Sequence, residues 1–522
     1  MASSPLDTQT RRLLHGEITY AEAKESDSNI LHALGYREQK LKYFTHLYRH
    51  RKEIEALAAH HLGLASADTC HAADVEDWVH GSFNVCIRVD VDGHGRNPGK
   101  QLMMRLPLPY RIGENRRPGN ADEKVRCEAA TYVWLQMNCP TVSIPQLYGF
   151  GLSTGQTFTL VDNLPFIPRI IHCLRQQLLK WLNYQTPSLY VQHPTKNIQL
   201  LGTPYLLIEY IDPSRGRMLS ETWADGRQNV KLRTNLFHGL SRIMLAMARV
   251  PLPRIGSFTL DSQGYLSLTN RPLTLEIQQL ENEDIPVDIS RSTTHSTVDS
   301  YAADVLAFHE SRLRNQPNAV HDLEDGFYQL SALMVMRSVW SCFFRRDLLR
   351  GPFLFNLTDL NQSNIFVDKD WNVKYLIDLE WACSLPAEMI HPPYWLSNQV
   401  IDMISINDYE PLHSEFVQAL AEEEENEGNS KPPIGLSSIM QQGWGRGTFW
   451  YSLALSSPTA LFKIFYDFIQ PRFSTTHDDP KFWQITMPYW GFDAFDFIER
   501  KVKDKERYDA ALREEFLSSS PR

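Results

Sequence analysis

The chain has 522 residues, 43% of them hydrophobic, which is enough for two or three globular units around a continuous core. Its 52 lysines and arginines against 62 aspartates and glutamates leave a formal charge of −10 without a strongly basic block, and that balance argues against a nucleic-acid partner. Seven cysteines with no C-x-x-C pair suit a reducing compartment, and no apolar run reaches the ~18 residues of a membrane span. The N-terminus lacks a signal-peptide core, and Asp7, Glu17, Glu22 and Glu25 argue against a mitochondrial presequence. A cytoplasmic protein with no membrane partner is the expectation.

Residues 1–70 read as a helical N-terminal extension, because Leu41, Phe44 and Leu47 recur at helical intervals within 28–62. From His71 the pattern alternates: VEDWVHGSFNVCIRVDVDG and KQLMMRLPLP are two β-rich runs joined by a glycine-containing connection, which predicts a hairpin. DEKVRCEAATYVWLQMN predicts a helix, and in TVSIPQLYGFGL Pro145 and the glycines turn the chain into another strand. After an insert at about 152–202, PYLLIEYID is a short strand ended by an Asp-Pro step.

Residues 71–212 therefore read as a small strand-rich lobe, and 213–522 as a larger helical one. Leu236, Leu240, Ile243 and Met247 form one amphipathic stripe there, and Leu323, Phe327, Leu330 and Met334 another. Strands followed by helices is an α+β order, unlike alternating βαβ, and neither a G-x-G-x-x-G nor a P-loop motif is present. AEEEENEGNSKPP at 421–433 reads as a solvated helix end and loop, and IERKVKDKERYDAALREEF as an exposed closing helix. The aromatic tail RFSTTHDDPKFWQITMPYWGFDAFDF is expected to bury against neighbouring helices.

Phosphoryl transfer needs a residue that receives the nucleophile's hydroxyl proton and oxygen ligands that hold Mg²⁺ against the phosphates. In FNLTDLNQSNIFVDKDWNVKYLIDLEW, Asp359 ends an apolar run and Asn364 follows five residues later. Asp378 ends a second run after a turn at Asp368 to Asn372. That spacing predicts a hairpin that sets the Asp359–Asn364 loop beside Asp378, with the ligand types Mg²⁺ favours. Residue types alone leave an alternative open, in which Asp359 and Asn364 cap turns and Asp378 ends a strand.

This stretch, together with PPYWL at 392–396, resembles the aminoglycoside phosphotransferase and choline kinase-like family, especially its fungal members, over about residues 75 to 400. The family pattern is His-x-Asp-x-x-x-x-Asn followed by Ile-Asp-Trp-Glu. The resemblance implies a protein-kinase-like fold of two lobes, β-rich then helical. It makes Asp359 the catalytic base, Asn364 and Asp378 the metal ligands, and Glu380 a weaker candidate near the metal. On the nucleotide side it implies a covering loop at Gly81 and Ser82, a phosphate-binding cation at Arg105 and its ion-pair partner at Glu128. Glu209, Tyr210 and Ile211 become the linker whose backbone would hold adenine. Two positions depart from the pattern: Leu357 stands where the family has histidine, and Arg105 where it has lysine. Guanidinium binds phosphate bidentately but is bulkier than ammonium. His391, beside two prolines, is given no role.

The expected activity is Mg²⁺- and ATP-dependent transfer to a hydroxyl of a small-molecule acceptor, whether aminoglycoside-like, choline-like or another metabolite alcohol. The alternative is a pseudokinase that binds or scaffolds without turnover, a reading that Leu357 and Arg105 favour. A protein kinase is disfavoured by the missing H-R-D, D-F-G and A-P-E signatures.

Overall fold

A computed structural model of the chain describes residues 6–92, 99–195, 201–426, 428, 432–474 and 480–518. The connection at 93–98, residues 196–200 of the insert, and 475–479 of the aromatic tail lie outside the described residues, as do 427 and 429–431.

The N-terminal segment is not wholly helical. It opens with a short antiparallel hairpin, β1 (Thr10–Arg12) and β2 (Glu17–Thr19), before helices take over, the long ones at Tyr36–Arg49 and Arg51–Leu62. An eight-stranded sheet follows, made of β3 (Cys70–Ala72), β4 (Val79–His80), β5 (Asn84–Val91), β6 (Gln101–Pro107), β7 (Leu147–Gly151), β8 (Thr157–Leu160), β9 (Tyr190–Gln192) and β10 (Tyr205–Glu209). Their order is β3-β5-β6-β10-β7-β8-β9, with β4 paired to β5. The predicted hairpin is β5–β6, in register Cys86↔Arg105. The expected insert contains both sheet and helix: β8 and β9 extend the sheet, and the Phe166–Trp181 helix lies between them.

Alternation along the strands feeds two separate cores. On β10, Tyr205 and Leu207 join Val85, Ile87, Val89, Leu102 and Met104 against the Tyr36–Leu62 helices, whereas Leu206 and Ile208 face the other way, into the main core. Gly149 on β7 is required by that first packing, because a Cβ there would lie 2.2 Å from His61 Nδ1. His61 is buried and satisfied on both nitrogens, by Thr159 Oγ1 at 2.8 Å and Tyr205 Oη at 2.9 Å.

The larger lobe is helical, and its helices start where side chains cap them. Asn229 accepts from Lys231 N and Leu232 N ahead of the Val230–Ala248 helix, and Asp322 accepts from Asp325 N ahead of Leu323–Phe343. The first stripe is buried, with Leu236, Leu240, Ile243 and Met247 all in the main core; of the second, Leu330 is buried and Phe327 partly so, while Leu323 at the helix start is exposed. This is the α+β order, strand-rich and then helical, that the resemblance implied. Small antiparallel pairings embedded in the lobe build the site: β11 (Arg217–Met218), β12 (Ser257–Leu260) with β13 (Leu266–Asn270), β14 (Phe353–Leu357), β15 (Ile365–Val367), β16 (Val373–Leu376) and β17 (Ala382–Pro386).

Two surface expectations change. The acidic run is helical through Asn426, and Glu423 within it is buried between His238 Nδ1 and Arg242 Nη1, each at 2.7 Å. The closing helix Ala494–Leu517 buries one face: Tyr508, Leu512 and Phe516 pack on Ala23 and Ile30, and Tyr508 Oη accepts from Ile30 N at 2.8 Å. Arg11 also donates to the carbonyls of Glu515 and Phe516, at 2.7 and 2.8 Å. The N-terminal segment is thus a strap, pinned at residues 11–30 to the last helix and at 36–62 to the sheet. The aromatic tail is buried only in part: Trp483 stacks on Phe327 with ring centroids 4.6 Å apart and Phe497 is buried, whereas Phe473, Tyr489, Phe492 and Phe495 are exposed.

Candidate functional site

The hairpin predicted around Asp359 forms. β14 pairs β17 with Leu357 opposite Ala382, and β15 pairs β16 with Ile365 opposite Leu376. Beyond that second ladder Ile377 N donates to Asn364 O at 2.9 Å, which places Asn364 across from the residue preceding Asp378. Asn364 is buried and donates its Nδ2 to Asp359 O at 2.8 Å. The loop is fastened twice more: Thr358 Oγ1 donates to Trp381 O, and Trp395 of the PPYWL segment donates to Leu360 O at 2.9 Å. Asp359, Asn364 and Asp378 are therefore held in one structural unit.

Asp378 has φ +57°, in the left-handed region, and Trp381 has φ +59°. Such backbone costs a non-glycine residue about 1–3 kcal/mol and persists only where the surroundings impose it, commonly at functional sites. Asp359 lines a cavity of about 610 Å³. Burial, with Glu380 adding to it, raises the Asp359 carboxyl to about 6, against the weaker pull of Asn361 and Arg105. Glu276 lines the same cavity, and burial raises it to about 7.

Beside Asp378 lies a buried ionic network that spans the two lobes. Arg105 on β6 faces away from the sheet's outer core. Its Nε ion-pairs with Glu128 Oε1 at 3.1 Å, and its Nη2 with Glu380 Oε2 at 3.1 Å and with Asp378 Oδ1. Glu128 lies on the Asn120–Asn138 helix, as expected for the partner of Arg105. One turn earlier, Lys124 ion-pairs with Glu380, donates to Asn84 Oδ1 at 2.7 Å and reaches Glu128 at 3.8 Å. Asn84 in turn donates to Glu380 at 2.9 Å. Burial would raise Glu380, but Lys124 and Arg105 outweigh it and hold the carboxyl low, at about 2. Asp378 is pushed the other way, upward, by burial and by the like charges of Glu380 and Glu128, while the Arg105 guanidinium in contact with it favours the carboxylate.

The sequence reading missed Lys124, Asn84 and Glu276. Lys124 carried a signal, since a lysine four residues before a glutamate shares its helix face. Asn84 and Glu276 carried none, because only the tertiary fold brings them here.

Other named positions are placed as follows. Ser82 is exposed, and its carbonyl accepts from Arg111 Nε at 2.9 Å. A Cβ at Gly81 would meet nothing within 4 Å, so packing inside the protein does not demand glycine there. Glu209 N donates to Gln146 O at 2.8 Å and Tyr210 N to Gln101 O at 3.3 Å, so both donors are spent in the sheet; the Ile211 N–H meets no protein acceptor among the described residues. Glu209 also pairs with Arg215 at 2.5 Å. Leu357 is buried in the main core, where a leucine needs no polar partner. His391 is a packed group, edge-on to Phe449 with its Nδ1 3.1 Å from Pro392 O. Among the described residues no three His, Cys, Asp or Glu side chains group as a metal cage, and no helix is long and apolar enough to cross a membrane.

No family model matches the chain, and no curated protein matches it. Among solved structures, it is similar to a thermostable mutant of an aminoglycoside phosphotransferase in ternary complex with AMP-PNP and hygromycin B, at 11% identity over 86% of this chain and 96% of that one, TM-score 0.34. It is similar to a Plasmodium vivax ethanolamine kinase at 11% identity over 84% and 85%, TM-score 0.32. A macrolide 2'-phosphotransferase from Brachybacterium faecium matches at 13% identity over 81% and 99%, TM-score 0.32. Superpositions this loose say nothing about individual site residues.

Proposed function

We propose that this chain is a Mg²⁺- and ATP-dependent phosphotransferase acting on a hydroxyl of a small polar molecule seated in the cavity beside Asp359. The observation that carries this reading is Asp359 itself. Its carboxyl is raised to about 6 and lines a cavity of about 610 Å³. A base with that pKa is ionised at neutral pH, yet more basic than an ordinary aspartate, which suits it to take a hydroxyl proton as the new bond forms. Carboxyls at Glu276 and Glu283 and the guanidinium of Arg111 on the cavity wall suit a polar acceptor.

Asn364 and Asp378 fit a hard cation. They offer an amide and a carboxylate, and Asn364 spends its Nδ2 on Asp359 O, which leaves its Oδ1 as the donor to metal. Bound Mg²⁺–ATP supplies the transferable phosphoryl group and the neutralisation of its charge. Arg105, fixed by Glu128 and Glu380, is the cation assigned to the phosphates, and Ser82 and the Ile211 backbone belong to the nucleotide's loop and linker.

A second reading has its own support. Arg105 contacts Asp378 directly, so a metal at Asp378 must share or displace that guanidinium, and a chain that never does so binds nucleotide without turnover. Screening a metabolite extract for Mg²⁺–ATP-dependent phosphorylated products separates the two. Asp359→Asn should abolish product while nucleotide affinity, followed by calorimetry, stays within about twofold. Full activity in that variant would sink the assignment of Asp359. Tight Mg²⁺–ATP binding with no product from any acceptor would favour the second reading.

A further inference from the structure

The Phe166–Trp181 helix is amphipathic in the wrong sense for a helix packed on its own protein. Phe166, Ile167, Ile171, Leu174, Leu178 and Trp181 are exposed, from 54% for Leu178 to 82% for Trp181. At 100° per residue these six fall within an arc of about 140°. The opposite side is polar instead, with His172 buried and Gln176 donating to Pro187 O at 2.8 Å, while on the exposed flanks Arg175 donates to Tyr265 Oη at 3.1 Å and Arg169 pairs with Asp162 at 3.0 Å. Contiguous apolar surface of this kind on a folded protein marks something that covers it.

Charge says what. From Asn163 to Ile208 the sequence holds no aspartate or glutamate, although the whole chain is at −10. On the helix Arg175 and Lys180 lie about 40° beyond either edge of the apolar arc, where long cationic side chains reach past a buried apolar face toward surrounding anions. We propose that this helix seats the protein on an anionic phospholipid surface, lying in the plane of the interface with Trp181 and Phe166 at its two ends. The helix joins β8 to β9, so the sheet-rich lobe is the part held at the membrane. A second copy is the weaker occupant, because it would bring an identical cationic rim against this one. An interfacial helix needs only one apolar face and no membrane-crossing run, so it is compatible with a sequence whose composition suggests no membrane partner.

The test uses the full chain and sedimentation with vesicles of phosphatidylcholine alone or phosphatidylcholine with one quarter phosphatidylserine. The wild type should sediment with the phosphatidylserine vesicles and be released by salt. Ile171→Ser, Leu174→Ser and Trp181→Ser together should abolish sedimentation; all three side chains are exposed, so the core is untouched. Arg175→Gln with Lys180→Gln should weaken it by roughly fivefold for each cation removed. Wild type left in the supernatant by phosphatidylserine vesicles overturns the proposal, and so does a serine variant that sediments like wild type. A wild type that is dimeric without vesicles, monomeric as the serine variant and indifferent to lipid would assign the face to self-association and overturn it as well.

Discussion

Replacing Lys124 with methionine keeps the length of the side chain and removes its charge from the network under β5. The Lys124 and Glu380 side chains are 1% and 3% exposed, so solvent does little to screen the pair. Removing one partner of a buried ion pair costs about 3–5 kcal/mol. Glu380 is held below its usual range against burial, by Lys124 first and Arg105 next, so part of its folded-state stabilisation belongs to Lys124. Because the folded-state value is the lower one, this stabilisation is complete above pH 4.5 or so and is lost as pH falls toward about 2. Urea unfolding followed by circular dichroism should therefore show a loss of about 3 kcal/mol in Lys124→Met at neutral pH, with the gap to wild type closing below pH 4.5. Adding Glu380→Gln to Lys124→Met removes the stranded charge and should recover part of the loss, a coupling visible in a double-mutant cycle. A neutral-pH loss under about 1 kcal/mol, or a gap independent of pH, would refute the account of Lys124 as the group that holds Glu380 ionised.

Four further outcomes follow from the same geometry. Turnover should rise with pH through about 6 as Asp359 loses its proton, and a pH–rate profile of the purified protein checks this. Arg105→Lys cannot reproduce contacts to Glu128, Asp378 and Glu380 together, and should lower stability by about 2 kcal/mol in thermal unfolding. Leu357→His, which restores the family pattern, should cost about 1–3 kcal/mol and leave turnover no higher, because it buries an imidazole in an apolar core; a variant as stable as wild type would contradict the packing of β14. Phe516→Ala, at a side chain 1% exposed, should cost about 3–5 kcal/mol locally and speed proteolysis within residues 6–34, read by mass spectrometry.

The loop carrying Asp359 and Asn364 is legible in the sequence because its parts are local. Asp359, Asn364 and Asp378 fall within twenty residues, and strand-turn-strand punctuation at Asp368 to Asn372 fixes how they meet. Arg105 and Glu128 were legible by order along the chain, as a strand followed by a helix. Asn84 and Glu276 were not, because each reaches the site through sheet pairing or helix placement far away in sequence. The strap escaped for a related reason: Leu41, Phe44 and Leu47 announce a helix without saying what it packs on, and the charges of the last helix hide the Tyr508, Leu512 and Phe516 ridge. The Phe166–Trp181 helix lies inside the stretch read as an insert, and its apolar face points outward, so no buried stripe marks it.

The strap has a consequence for how an acceptor is chosen. Asp27, Asn29 and Tyr36 line the same cavity as Asp359, so part of the wall comes from the chain's first forty residues and none of that part belongs to the phosphate or metal machinery. On the function proposed above, chemistry and selectivity would be written on separate stretches of sequence. Variation confined to the strap would alter the shape and polarity of that wall while Asp359 and its neighbours stay as they are.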